Sequence, residues 1–236
     1  MRTAVQIRCR PTAALDEAAI AAATAMLSDE ERARCGRFHF ARDARDYAAA
    51  HALLRTTLSR GTDRPPRYWR FETTATGKPV LCNGDAPLSF SLSHTHGMVA
   101  CAIGGGASLG VDVEYLDRDV NADGIAARFF AASEAAHLAR LDAPARRARF
   151  FDLWTLKEAL VKGLGAGMAV ALNHLAFTVR PSGVTVQAPS HVDGSAWQFR
   201  LFTPASRYRL AVAVHGSAAE PVTVDVELVL GLSYRF

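Results

Sequence analysis

The sequence predicts an α+β fold built in two halves. Three observations carry this reading. Stretches of helical character give way to runs of strand character twice along the chain, with the changeover near residues 104–120. Apolar residues make up 50% and charged residues 21% of 236 residues, a globular balance. A chain of this length buries a core without needing a disulfide or metal staple. A Gly104-Gly105-Gly106 run breaks the strand series at the changeover, so the halves are placed at 1–105 and 106–236.

The elements follow in order. Residues 3–9 alternate as a first strand, and Leu15–Leu27 is an alanine-rich helix. Ser28-Asp29-Glu30-Glu31 reads as a capping box opening a short helix through Arg34. Asp43–Ser59 is a longer helix with Tyr47, Leu53, Leu54 and Leu58 inward, ended by Gly61 and Pro65-Pro66. Tyr68–Glu72 reads as a strand and Gly77-Lys78-Pro79 as a turn. Strands follow at Leu88–Leu92, Met98–Ile103 and Leu109–Glu114. Helices return at Ile125–Phe130, at a segment capped by Ser133 and running to Leu141, and at Ala145–Leu164, just past Pro144 and ended by Gly163, Gly165 and Gly167. Four or five strands close the chain, at 174–180, 183–188, 196–203, 208–214 and 222–229. No residue-level repeat relates the halves.

Composition narrows the function. No window reaches the ~18 consecutive apolar residues of a membrane span. The N-terminus carries arginines where a signal peptide needs an apolar core. The expectation is a cytoplasmic protein with no membrane partner. Cys9, Cys35, Cys82 and Cys101 form no Cys-x-x-Cys pair, which argues against structural zinc and disulfides. The net charge of +4 suits an anionic cofactor, nucleic acid or an acidic protein. Of the 27 basic residues only Lys78, Lys157 and Lys162 are lysines, and each falls in a motif.

In Gly110-Val111-Asp112-Val113-Glu114, strand alternation puts Asp112 and Glu114 on one face. The pair is either a solvated acidic edge or a site for a cation such as Mg²⁺, which binds carboxylates together with substrate phosphate. On the 145–164 helix, Trp154, Glu158 and Lys162 share one stripe at i, i+4 and i+8. Glu158 and Lys162 are either a surface ion pair or, beside Trp154, a partly buried pair with a chemical role. Ser91, Ser93 and Thr95 share one strand face, and His94 and His96 lie on the other. Hydroxyl and imidazole donors there can hold phosphate, and zinc lacks a third soft ligand. Gly77-Lys78-Pro79 is an ordinary turn or an anion contact. Arg32, Arg34, Arg37, Arg42 and Arg45 interleave with Glu31, Asp43 and Asp46, which fits nucleic acid poorly.

Together these residues resemble the surfactin-type 4′-phosphopantetheinyl transferases. The resemblance rests on Gly110-Val-Asp112-Val-Glu114 and on Phe151-x-x-Trp154-x-x-Lys157-Glu158-Ala-x-x-Lys162-x-x-Gly165-x-Gly167. Gly77-Lys78-Pro79, Phe90-Ser-Leu-Ser93-His94 and the Phe38…Asp43-Ala44 run support it. It implies two similar α/β halves in a pseudo-twofold arrangement, with the site in the cleft between them. It also implies a reaction: phosphopantetheine passes from coenzyme A to a serine of an acyl or peptidyl carrier protein, with Mg²⁺, and adenosine 3′,5′-bisphosphate leaves. The alternative is a non-catalytic relative that binds CoA or a carrier.

By the same resemblance Asp112, Glu114 and Glu158 are the metal ligands. Lys162 faces the pyrophosphate, and Asp112, Glu158 and Lys162 form the catalytic set. Ser93, His94 and Arg34 lie at the 3′-phosphate, and Gly77, Lys78 and Pro79 lie against the adenine and ribose. Lys157 shares the helix motif without a defined role. Glu31 stands where some relatives carry a second basic residue, which thins the phosphate clamp unless Arg32 or Arg37 substitutes. The base for the serine proton is Glu158 or a metal-bound water. The expected state is a monomer. The carrier surface is placed on Val120–Phe130, with Arg128 on its rim and Phe129 or Phe130 as anchor.

Overall fold

The computed structural model describes residues 4–60, 62–85, 87–165, 170–216 and 220–230. The chain runs through one succession of elements twice. The first pass has strand β1 (Ala4–Pro11), helices α1 (Glu17–Ala25), α2 (Asp29–Cys35) and α3 (Ala41–Ser59), and a 3-10 turn at Pro66–Tyr68. The hairpin β2 (Phe71–Thr73) and β3 (Pro79–Leu81) follows, then β4 (Leu88–Thr95) and β5 (Met98–Gly105). The second pass has β6 (Leu109–Tyr115), α4 (Ala122–Phe129), α5 (Ala132–Leu138), α6 (Ala143–Leu164) and a 3-10 turn at Leu172–His174. The hairpin β7 (Ala176–Arg180) and β8 (Gly183–Gln187) follows, then β9 (Trp197–Phe202) and β10 (Tyr208–His215).

Each pass also pairs its strands alike. The first strand lies antiparallel to the last, and the last to the middle one: β1-β5-β4 and β6-β10-β9. The halves thus repeat in topology without repeating in residues, as the α+β reading expects. A final strand, β11 (Thr223–Leu228), crosses back and pairs parallel with β1.

The layers follow from strand alternation. One face of each sheet meets the other sheet, through Ile7, Met98 and Ala100 against Val111, Val113 and Val212. The outer faces take the long helices. Leu53, Leu54 and Leu58 of α3 pack on Phe90, Val99 and Cys101. Phe150, Phe151 and Leu160 of α6 pack on Phe199, Ala211 and Ala213. Strand β5 is apolar on both faces because both are covered. On β6 the odd positions enter the inter-sheet core, which leaves Gly110, Asp112 and Glu114 toward α6.

Several local expectations need correction. Tyr68–Glu72 is not one strand: Pro66 starts a 3-10 turn and pairing begins only at Phe71. Pro79 opens a strand after the Gly77 turn, whose φ is 87°. Ser133 lies inside α5. The cap position is Ala131, and the Glu134 carboxylate accepts its N–H at 2.8 Å. Gly163 lies within α6, which Gly165 ends in the left-handed region at φ 65°. The Ser28–Glu31 capping box is present with both bonds. Gly61 and Gly167 lie outside the described residues. Among the described residues no helix is long and apolar enough to cross a membrane.

Candidate active site

Strand β6 is an edge of the second sheet and runs beside β4, an edge of the first. Side chains join them where no backbone ladder does. The hydroxyls of Ser91, Ser93 and Thr95 accept the backbone N–H groups of Val111, Val113 and Tyr115 at 3.0, 3.2 and 3.2 Å. The three hydroxyls that the sequence offers to phosphate therefore also join the two halves. Ser93 further donates to Asp112 Oδ1 at 2.8 Å and accepts from Lys162 Nζ at 2.9 Å.

Helix α6 comes down onto the acidic face of β6 because two positions lack side chains. A Cβ on Gly110 would overlap the Ala159 carbonyl and the Gly163 backbone, and one on Gly163 would run into Trp197. Gly110→Ala is expected to destabilise the protein by roughly 1–3 kcal/mol through overpacking, read as a lower urea midpoint. A variant as stable as wild type would show that α6 can lift without cost.

The contact turns the Trp154–Glu158–Lys162 stripe toward the strand acids. Trp154 Nε1 donates to Glu114 Oε1 at 2.9 Å, and Lys162 Nζ donates to Asp112 Oδ1 at 2.8 Å. Glu158, half-buried, lies between them on the helix. Burial, and then the charge of Asp112, push the Glu114 carboxyl up to about 7. The same two causes raise Glu158, and Lys162 works against them. Asp112 thus acts electrostatically on both Glu114 and Glu158.

A cavity of about 680 Å³ opens beside them. Glu158, Lys162, Gly77, Lys78 and Pro79 line it, with Phe90, Leu92, Val161 and Leu172 as apolar wall. Lys78 reaches from the β2–β3 hairpin to the Gly163 carbonyl at 3.0 Å, where an ammonium suits a helix C-terminus. Burial lowers its pKa.

The remaining expected residues sit farther out. His94 is exposed on β4, and Arg34 is exposed on α2 with its guanidinium 5.4 Å from the Tyr47 ring. Neither lines the cavity. Glu31 is buried and paired with Arg55 at 2.9 Å and His51 at 2.8 Å, so its charge is offset inside the first half. Phe130 is buried in the core and cannot anchor a partner. Phe129 and Arg128 line the cavity, with Arg128 stacked over the Phe129 ring.

Lys157 points away from the acids. It is fully buried and forms an ion pair with Glu134 at 2.8 Å. It also donates to the carbonyls of Leu172 and Leu175. Sequence reasoning missed two partners of the site. Arg118 meets Glu114 Oε2 at 3.2 Å, and Glu134 neutralises Lys157. Neither belongs to a motif read from the sequence. The i,i+4 spacing of Glu114 and Arg118 lies partly beyond the strand and gave no signal.

The acids carry the oxygen donors that a hard divalent cation takes. The buried Asp112 Oδ2 has no hydrogen-bond partner. Among the described residues, no three His, Cys, Asp or Glu side chains form a group that could hold a metal ion.

A two-half α+β fold with a strand of acids under a Trp-x-x-Lys-Glu helix defines a class of transferase, and sequence comparison agrees. Residues 108–213 match the 4′-phosphopantetheinyl transferase superfamily model, and residues 14–104 match the 4′-phosphopantetheinyl transferase N-terminal model. The chain is 31% identical to the 4′-phosphopantetheinyl transferase HetI of Nostoc sp. over 84% of its own length and 82% of that protein. It is 33% identical to the transferase psf-1 of Bacillus pumilus over 82% and 81% of the two chains. It is 30% identical to the transferase Sfp of Bacillus subtilis over 84% and 87%. The chain belongs to the 4′-phosphopantetheinyl transferase superfamily, in its surfactin-type class, and is an enzyme.

Proposed function

We propose that this enzyme moves the 4′-phosphopantetheine group of coenzyme A onto a serine of an apo acyl or peptidyl carrier protein and releases adenosine 3′,5′-bisphosphate. The observation that supports it best is the placement of Glu158 and Lys162. They face the cavity on one side and the strand acids on the other. Asp112, Glu114 and Glu158 would hold Mg²⁺, which when bound would supply positive charge to the pyrophosphate.

The chain's own residues account for the rest. Asp112 and Ser93 hold the Lys162 ammonium at the cavity wall, ready to offset charge on the leaving phosphate. In the step, the serine oxygen bonds to the β-phosphorus as the bond from that phosphorus to the bridging oxygen breaks. The serine proton passes to Glu158, directly or across one water. Burial and Asp112 raise the proton affinity of Glu158, which suits a base. Gly77, Lys78 and Pro79 take the adenosine end, and Arg34 and His94 the 3′-phosphate, while Ser93, buried and bonded to Asp112, Lys162 and Val113, positions Lys162 instead. Phosphoryl transfer asks mainly for such positioning and electrostatics.

The reading includes a division at residues 105 and 106, with β11 crossing back, and a monomer in the cytoplasm. An acidic carrier would meet the exposed Arg128 on α4, with Phe129 as the apolar contact. The test is the intact mass of an apo carrier after incubation with CoA and Mg²⁺. A gain of one phosphopantetheine is expected. No gain over a panel of acyl and peptidyl carriers overturns the reading.

A further inference from the structure

We propose that Arg118 is a built-in rival of the divalent cation at Glu114, and so sets how tightly this chain binds metal. The inference rests on the reading of Asp112, Glu114 and Glu158 as cation ligands. Both oxygens of Glu114 are occupied. Oε1 accepts from the Trp154 indole at 2.9 Å. Oε2 meets the Arg118 guanidinium at 3.2 Å and the Thr95 hydroxyl at 3.3 Å. Asp112 differs, because its Oδ2 has no partner. A cation can take Asp112 Oδ2 without displacing a hydrogen bond. It reaches Glu114 by displacing Arg118.

The geometry makes that displacement possible and keeps it local. The Arg118 side chain is 39% exposed, against 8% for Glu114, so the guanidinium can swing into water. Its Nε has no acceptor to give up. The backbone cannot follow. Arg147 Nε and Nη2 donate to the carbonyls of Leu116 and Arg118 at 2.6 Å each, and this pins the turn after β6. The rival charge therefore stays within one side-chain length of the acids. Lys162 is the other cation on this cluster, but it lines the cavity and serves the reaction. Arg118 does neither.

Removing Arg118 acts twice in the same direction. It takes the charged partner from Glu114 Oε2 and leaves only the Thr95 hydroxyl there, and it removes a positive charge next to a doubly charged ion. The test is a Mn²⁺ titration of the full chain without CoA, read by the loss of the free-ion electron spin resonance signal. Arg118→Met is expected to bind about tenfold more tightly than wild type, and Arg118→Lys, which keeps the charge, within about twofold of it. The gap should narrow in high salt, because the charge sits near the surface. Asp112→Asn separates the two readings. If it loses the ion while Arg118→Met binds no more tightly than wild type, the rivalry is overturned and the cation site stands. If Mn²⁺ binds wild type and Arg118→Met no better than Asp112→Asn, the reading of the acids falls and this inference with it. Should Arg118→Met not fold, Arg118→Gln carries the same comparison.

Discussion

Asp112→Asn and Glu158→Gln are each expected to lower kcat by at least ~100-fold, the scale on which a lost electrostatic stabiliser shows itself. Each change keeps shape and removes one charge. Asp112 loses the most connections: it holds Lys162, accepts from Ser93 and raises both glutamates. Its amide would leave the Lys162 ammonium without its anion at the cavity wall. Glu158 is the one acid among the described residues that line the cavity, and the proposed mechanism assigns it the serine proton. Glu114→Gln should be milder. Its carboxylate is already occupied by Trp154, Thr95 and Arg118, and water can replace one ligand of an octahedral ion. The measurement is steady-state transfer to an apo carrier at several Mg²⁺ concentrations, with circular dichroism to confirm folding. Near-normal turnover of Glu158→Gln at low Mg²⁺ would remove Glu158 from the proposed catalytic set.

Lys157→Met should cost about 3–5 kcal/mol of stability, the usual consequence of stripping one partner from a buried ion pair. The ammonium has no exposure, and losing it strands the Glu134 charge. Glu134 would still accept from the N–H groups of Ala131 and Phe177, at 2.8 and 2.7 Å, which hold α5 and β7. The Leu175 carbonyl would lose its lysine donor, while that of Leu172 keeps the Leu175 N–H at 3.1 Å. Adding Glu134→Gln should recover part of the loss, because the stranded charge is gone. Urea unfolding of the two variants gives the comparison. The remaining folded enzyme should turn over at a near-normal rate when assayed cold. Loss of kcat with unchanged unfolding would instead make Lys157 part of the chemistry.

The acid strand and the helix stripe were legible because their signals are local. A period of two puts Asp112 and Glu114 on one face whatever covers it, and a period near 3.6 does the same for Trp154, Glu158 and Lys162. The α+β order of elements could be read the same way, as could the Ser28 capping box. The topological repeat was expected from the helix–strand order and the resemblance, but its strand pairing could not be read. Its evidence is the order β1-β5-β4 and β6-β10-β9, and pairing order leaves no trace in residue identity.

What the sequence determined by itself is which residues can face together: two acids on one strand face, and an aromatic, an acid and a lysine on one helix stripe. What only the tertiary structure decided is what each face meets. Gly110 and Gly163 let α6 close on β6, so the two local patterns become one cluster. The same packing sends Lys157, one residue before Glu158, into the opposite core, because adjacent helical residues point about 100° apart. Glu31 reads as a gap in a phosphate clamp until Arg55 and His51 are seen closing on it from α3. Ser91, Ser93 and Thr95 look like free donors until β6 is seen presenting its N–H groups to them. For Glu31 and for the Ser91, Ser93 and Thr95 hydroxyls the missing information was the identity of a partner 19 or more residues away. Periodicity specifies a direction in space, and only chain packing specifies what lies along it.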